Sequence, residues 1–108
     1  MNVLSWLQEW FLLNCDGDWE HENQIKIETV SNPGWFIVID FTNTTLENLP
    51  EINHECNNGS DDWYFYNINK FKFTASGDVN KLEYLLQKFR EIVESFKDSE
   101  QYVDRSIQ

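Results

Sequence analysis

The stretch QIKIETVSNPGWFIVIDFT, residues 24–42, carries the clearest indication of the fold. Apolar and polar residues alternate in its first half, which is the two-residue period of a β-strand. Its centre, Asn32-Pro33-Gly34, is typical of a tight turn, and we expect type II geometry with a positive φ at Gly34. The stretch therefore predicts an antiparallel hairpin.

The second strand of this hairpin is apolar on both faces. Ile37 and Ile39 are expected to face a core, whereas Phe36, Val38 and Asp40 are expected to face outward. Residues 63–75 predict more strand, but the parity of the apolar positions changes near 67–69. The pattern leaves open whether this segment is one bulged strand or two strands.

One amphipathic helix is predicted before the strands in the sequence and another after them. Apolar residues recur at helical spacing over residues 3–14 and again over residues 82–96, where Asp78 is expected to be the N-cap. We predict a single α+β domain over residues 1–108, with 98–108 as a frayed tail. Its antiparallel sheet of three to four strands carries the N-terminal and C-terminal helices on one face, in two layers.

The polar stretch 43–62 contains Pro50 and five acidic residues and is expected to be a long loop. Loops of this length in compact domains are often functional. Its acids and those of the earlier segment 15–21 stand close in sequence to aromatic residues, a combination that suits a basic protein partner. The candidate partner-binding residues are Asp16, Asp18, Glu20, Glu47, Glu51, Glu55, Asp61, Asp62 and Trp63.

The negative charge is concentrated in one part of the chain. Residues 1–69 contain twelve acidic residues and a single basic residue, Lys26, so they hold the entire net charge of −11. Nucleic-acid binding needs cations that displace phosphate counterions, so this charge argues against direct DNA or RNA binding. It favours a cationic protein partner, although acidity that merely maintains solubility stays open.

The sequence predicts a cytoplasmic protein. It contains no run of apolar residues long enough to cross a bilayer, and its first residues lack a basic leader. Cys15 and Cys56 are then expected to stay reduced. We expect no cofactor and no membrane association.

The segment CDGDWEH, residues 15–21, combines side chains that can bind metals or move protons. A zinc site could draw on Cys15, His21, His54 and Cys56. These residues lack the paired spacing of zinc motifs, so we predict no metal.

A small enzyme built on Cys15 and His21 is a second interpretation of this segment. Neighbouring acids raise the pKa of a thiol and weaken it as a nucleophile, so we predict no catalytic residues. The simplest interpretation is a structural loop, in which Asp16 or Asp18 accepts backbone N–H groups and Trp19 packs on the core.

Several motifs occur here in an order that resembles the immunity protein 53 family of bacterial polymorphic toxin systems. They are Trp6-Leu7-Gln8, the CDGDWEH segment, Asn32-Pro33-Gly34-Trp35, Asp62-Trp63, and the apolar residues Leu82, Leu85 and Phe89. The resemblance extends over roughly residues 4–96. The candidate motif residues with a structural role are Trp6, Cys15, Gly17, Trp19, His21, Asn32, Pro33, Gly34 and Trp35.

The resemblance implies a function. Members of such families bind a cognate toxin and mask its active site, and a nuclease is the expected target because its cleft must be positive to hold phosphates. A metal-dependent enzyme and a generic acidic adaptor are the alternatives.

Overall fold

The structure is a computed structural model that describes the backbone of residues 1–107 and the side chains of residues 1–97. Its helices are α1 (Val3–Asn14), α2 (Trp19–Glu22) and α3 (Leu82–Ile107), and a short 3-10 helix spans Thr45–Asn48. Its strands are β1 (Ile25–Val30), β2 (Gly34–Asp40), β3 (Ile52–Asn57), β4 (Trp63–Asn69) and β5 (Lys72–Gly77). The predicted tail at 98–108 falls where side chains are not described, and it stays a prediction.

The sheet has five strands in the order β1-β2-β5-β4-β3, and all neighbours are antiparallel. The predicted three to four strands were too few because residues 43–62 are not all loop: they contain β3. This strand lies at the edge of the sheet, where polar residues such as Asn53 and Glu55 meet solvent. Its sequence therefore lacks the apolar alternation of a half-buried strand.

Residues 63–77 form two strands joined by the two-residue turn Lys70-Phe71. Both turn residues have positive φ, 54° and 66°, as a type I′ hairpin turn requires. The change of parity in the sequence therefore marks a hairpin. Ile68 pairs with Phe73 across it, which keeps the apolar residues of both strands on one face.

The first hairpin is confirmed, but its turn is not type II. The turn consists of Ser31, Asn32 and Pro33, the Asn32–Pro33 peptide bond is cis, and Gly34 opens β2 without a positive φ. Glycine is required at 34 for space, since a Cβ there would collide with the carbonyl oxygen of Gly77.

The core lies between one face of the sheet and the two long helices. The sheet side consists of fully buried side chains, those of Ile37, Ile39, Phe73 and Ala75. Phe89 of α3 contacts both layers, since its ring centroid lies 5.2 Å from those of Phe73 and Trp10. The predicted two-layer α+β arrangement is thus observed, with both long helices contributing to one core.

The start of α3 differs from the prediction. The helix begins at Leu82, not immediately after Asp78. The carboxylate of Asp78 instead accepts hydrogen bonds from the backbone N–H groups of Asn80 (2.9 Å) and Trp63 (3.0 Å). Asp78 thereby joins the approach to α3 to the start of β4.

Candidate functional site

The CDGDWEH segment is a turn closed by its own acids. Asp16 Oδ1 accepts hydrogen bonds from the backbone N–H groups of Asp18 (2.9 Å) and Trp19 (2.8 Å). The carboxylate of Glu20 accepts from Asp16 N–H and Gly17 N–H, each at 3.0 Å. The N–H groups of Trp19 and then Asp18 lower the pKa of Asp16.

Trp19 anchors this segment to the core. Its side chain is buried, its indole packs 6.0 Å from that of Trp10, and its Nε1 donates to the carbonyl of Thr42 (2.8 Å). The predicted backbone hydrogen bonds of Asp16 and the predicted packing of Trp19 are therefore both observed. Asp18 is exposed and its side chain caps nothing in α2.

The four candidate zinc ligands do not converge. The Cys15 thiol donates to the carbonyl of Phe11 (3.2 Å), whereas the His54 ring stacks 5.1 Å from Tyr66. Among the residues whose side chains are described, no group of three or more His, Cys, Asp or Glu is arranged to hold a metal ion. Burial, followed by the charges of Glu20 and Asp16, raises the pKa of the Cys15 thiol, which disfavours its thiolate form.

Asp62 belongs to an ion-pair cluster at the approach to α3. Lys81 Nζ lies 2.8 Å from Asp62 Oδ1 and 2.7 Å from Asp78 Oδ2. The Lys81 ammonium, followed by the amide of Asn58, lowers the pKa of Asp62. The charge of Asp62 is therefore partly neutralised by its own chain.

The remaining candidate acids lie at different ends of the sheet. Ile52 pairs with Ile68 at one end of the β3–β4 hairpin and Asn57 pairs with Trp63 at the other. These ends are about 17 Å apart at the rise of a strand. Glu51 therefore lies well away from Asp61, so the acids of segment 43–62 do not form one compact cluster.

Glu47 and the CDGDWEH segment lie at the same end of the sheet as Glu51. The carboxylate of Glu47 accepts the backbone N–H of Asn43 (2.7 Å), and Trp19 reaches Thr42 just before it. Glu55 is exposed in the middle of β3, on the face turned away from the helices. The candidate acids thus divide among two ends and one face.

The face of the sheet away from the helices, here called the open face, carries an apolar group at its centre. Phe36, Val38, Trp63 and Phe65 point to this face and are half-buried, and none packs against the core cluster. The prediction that Phe36 and Val38 face outward is confirmed. Trp63 is the one predicted partner-binding residue that lies in this group.

A scan against protein-family models gives a match over residues 4–94 to the family described as immunity protein 53. The matched region runs from α1 into α3. The chain belongs to the immunity protein 53 family.

No curated protein and no solved structure matched the chain in the other two comparisons. The family model of immunity protein 53 covers every candidate site residue given above. Within the described part of this immunity protein 53 chain, no helix combines the length and apolar character needed to cross a membrane.

The sequence did not identify Phe36 and Phe65 as neighbours in this immunity protein 53 chain. They lie on β2 and β4, which are separated by β5, so their proximity depends on pairing between distant segments. The sequence indicates only that each of them alternates with core-facing residues of its own strand, and therefore points away from the core. The pairing itself could not be read from the order of the residues.

Proposed function

We propose that this protein binds a toxin and neutralises it by covering the toxin's active-site cleft, without catalysis of its own. Membership of the immunity protein 53 family is the observation that supports the proposal most directly. Its action would take place in the cytoplasm, where a toxin active inside the cell must be stopped. Raised pKa at the Cys15 thiol also disfavours a nucleophilic enzyme.

The expected target is a nuclease. A nuclease cleft must be positive to hold phosphates, and the first two thirds of this chain hold its entire net charge of −11. Such complementary charge accelerates encounter, whereas a buried aromatic anchor slows dissociation. The aromatic group of the open face, which includes Trp63, supplies such an anchor.

The proposed contacts start from the acids selected in the sequence. The carboxylates of Asp16 and Glu20 accept backbone N–H groups of their own segment, and Asp62 forms an ion pair with Lys81. Direct contacts are therefore expected from the more available acids near Trp63 and along β3, namely Asp61, Glu55 and Glu51. Asp18 and Glu47 contribute to the long-range field.

Co-expression with the adjacent reading frame tests this function. We expect the chain to restore growth of cells that produce the neighbouring protein, and to co-purify with it. A basic protein of similar size, such as cytochrome c, is the control for charge alone. If the neighbouring protein is toxic and the chain neither rescues growth nor binds it, the proposal is wrong; equal binding to cytochrome c would instead indicate a generic acidic adaptor.

A further inference from the structure

A single row of side chains crosses the open face from edge to edge. In strand register, Glu28 of β1 lies beside Phe36, Phe36 beside Ser76, Ser76 beside Phe65, and Phe65 beside Glu55 of β3. The row therefore reads acid, phenyl, small, phenyl, acid. Paired residues of adjacent strands point to the same face, so all five side chains share the open face.

The centre of the row is apolar. Ser76 is buried and its hydroxyl donates to the carbonyl of Trp35 (2.7 Å), so it offers neither bulk nor a free donor. Phe36 and Phe65 lie two strands apart, which is about 10 Å, on either side of the buried Ser76, so the two phenyl groups form the apolar surface at the centre of the row. A cleft of about 390 Å³ adjoins Phe36 and Val38, and its lining also includes Lys26, Asp40 and Lys72.

Trp63 extends the apolar surface beyond the row. A Cβ built on Gly34 would lie 3.2 Å from the Trp63 indole, so the indole rests on the backbone at Gly34. The close approach of the indole is a second steric reason why residue 34 is glycine. It also places a third aromatic side chain next to the two phenyl groups.

The ends of the row are negative and available. Glu28 and Glu55 are exposed, and neither forms an ion pair among the described residues. They lie on the two edge strands, about 19 Å apart at ordinary strand spacing. Two bases also lie on this face: Lys26, one row further along β1, and Lys72 of β5, two rows from Ser76.

We propose that this row is the docking surface for a cationic protein, which packs an apolar side chain against Phe36 and Phe65 and places basic side chains against Glu28 and Glu55. The inference rests on the proposed function, and the partner is then the toxin itself. The charges select this occupant over a second copy of the chain. Because the row is acidic at both ends, two open faces stacked with aligned strands would place carboxylate against carboxylate in either direction.

Paired charge variants test the row. E28Q/E55Q is expected to reduce the association rate constant for the protein encoded by the adjacent reading frame about tenfold at low ionic strength. The control E9Q/E83Q makes the same change of net charge on the helices and should leave the rate constant nearly unchanged. K26Q removes the base beside the row and should increase the rate constant.

Hydroxyl-radical footprinting of the complex tests the apolar part without any substitution. We expect Phe36, Phe65 and Trp63 to become protected by the partner, while Leu12 and Leu13, which are 71% and 76% exposed on α1, stay reactive. Protection of Leu12 and Leu13 instead, or protection of the phenyl groups in the chain alone, would overturn the inference. Equal rate constants for E28Q/E55Q and E9Q/E83Q would also overturn it.

Failure of this inference can be separated from failure of the proposed function. If the unmodified chain rescues growth and binds its neighbour but the open-face variants behave as the control does, only the location of the docking surface is wrong. If the unmodified chain does not bind at all, the toxin-neutralising function is wrong as well.

Discussion

At the scale of single residues, the β4–β5 turn places two side chains in an unfavourable backbone conformation. Lys70 and Phe71 have φ of 54° and 66°, a region that disfavours residues with a Cβ. Phe71 is 43% exposed, so its ring stabilises little. Phe71→Gly is therefore expected to raise the free energy of unfolding by about 1 kcal/mol.

Urea denaturation measures this change, and Phe71→Ala is the matched control. Alanine removes the ring but keeps the Cβ, so it should give no comparable gain. The backbone hydrogen bond from Phe41 N–H to the Phe71 carbonyl (2.9 Å) is available in both variants. Equal stability of the glycine and alanine variants would contradict the argument from backbone strain.

Asp78 is the residue whose charge should matter most for folding. Burial acts to raise its pKa, but hydrogen bonds from Lys81, Trp63 N–H and Asn80 N–H outweigh burial and lower the pKa below 3.8. A lowered folded-state pKa contributes stability above the unfolded value, and this contribution disappears as pH falls through the folded value. Asp78→Asn is expected to cost about 2 kcal/mol at pH 7, because a buried hydrogen bond between charged groups is lost.

The pH dependence of unfolding distinguishes this explanation from a packing effect. Protonated Asp78 resembles asparagine, so the difference between the two proteins should shrink below about pH 4. Asp61→Asn removes an exposed charge from the adjacent turn and should change little at any pH. A difference that stays constant down to pH 2 would show that the carboxylate charge is not responsible.

At the scale of elements, the α1–α2 connection is expected to need one of its acids for folding and not the other. Asp16 accepts the N–H groups of Asp18 and Trp19, whereas the side chain of Asp18 caps nothing in α2. Asp16→Ala should therefore lower the urea midpoint and Asp18→Ala should leave it unchanged. Equal effects of the two substitutions would contradict a structural role for the Asp16 carboxylate.

The sequence could predict some elements and not others for physical reasons. The bounds of α1 were predictable because its apolar stripe runs through several turns and residues 15–18 supply a turn at its end. The strand β3 was missed because an edge strand needs few apolar residues, and the Lys70-Phe71 turn because it contains neither Asn nor Gly. Local sequence patterns therefore predict amphipathic helices well, but they predict polar edge strands and unusual turns poorly.

The same distinction applies to the candidate site. Trp63 could be proposed as an anchor from the sequence because Asp61 and Asp62 directly precede it. The row from Glu28 to Glu55 was not, because it is assembled from five strands whose spatial order differs from their sequence order. Its members come together only through long-range strand pairing.

At the scale of the whole molecule, unbalanced charge should limit stability. The net charge is −11, whereas the described residues form four ion pairs, all made by Lys81, Lys88 and Arg90. Repulsion among the remaining carboxylates destabilises the compact state. Since the screening length falls from about 30 Å at 0.01 M salt to about 8 Å at 0.15 M, added salt should raise the urea midpoint.

A variant with less net charge provides the matched comparison. Glu9→Lys combined with Glu83→Lys replaces two exposed acids on the helices with bases, away from the open face. Its urea midpoint should rise less with salt than that of the unmodified chain, because less repulsion is available to screen. If salt instead lowers both midpoints equally, attraction within the ion pairs dominates. The excess of acidic residues then does not destabilise the folded chain.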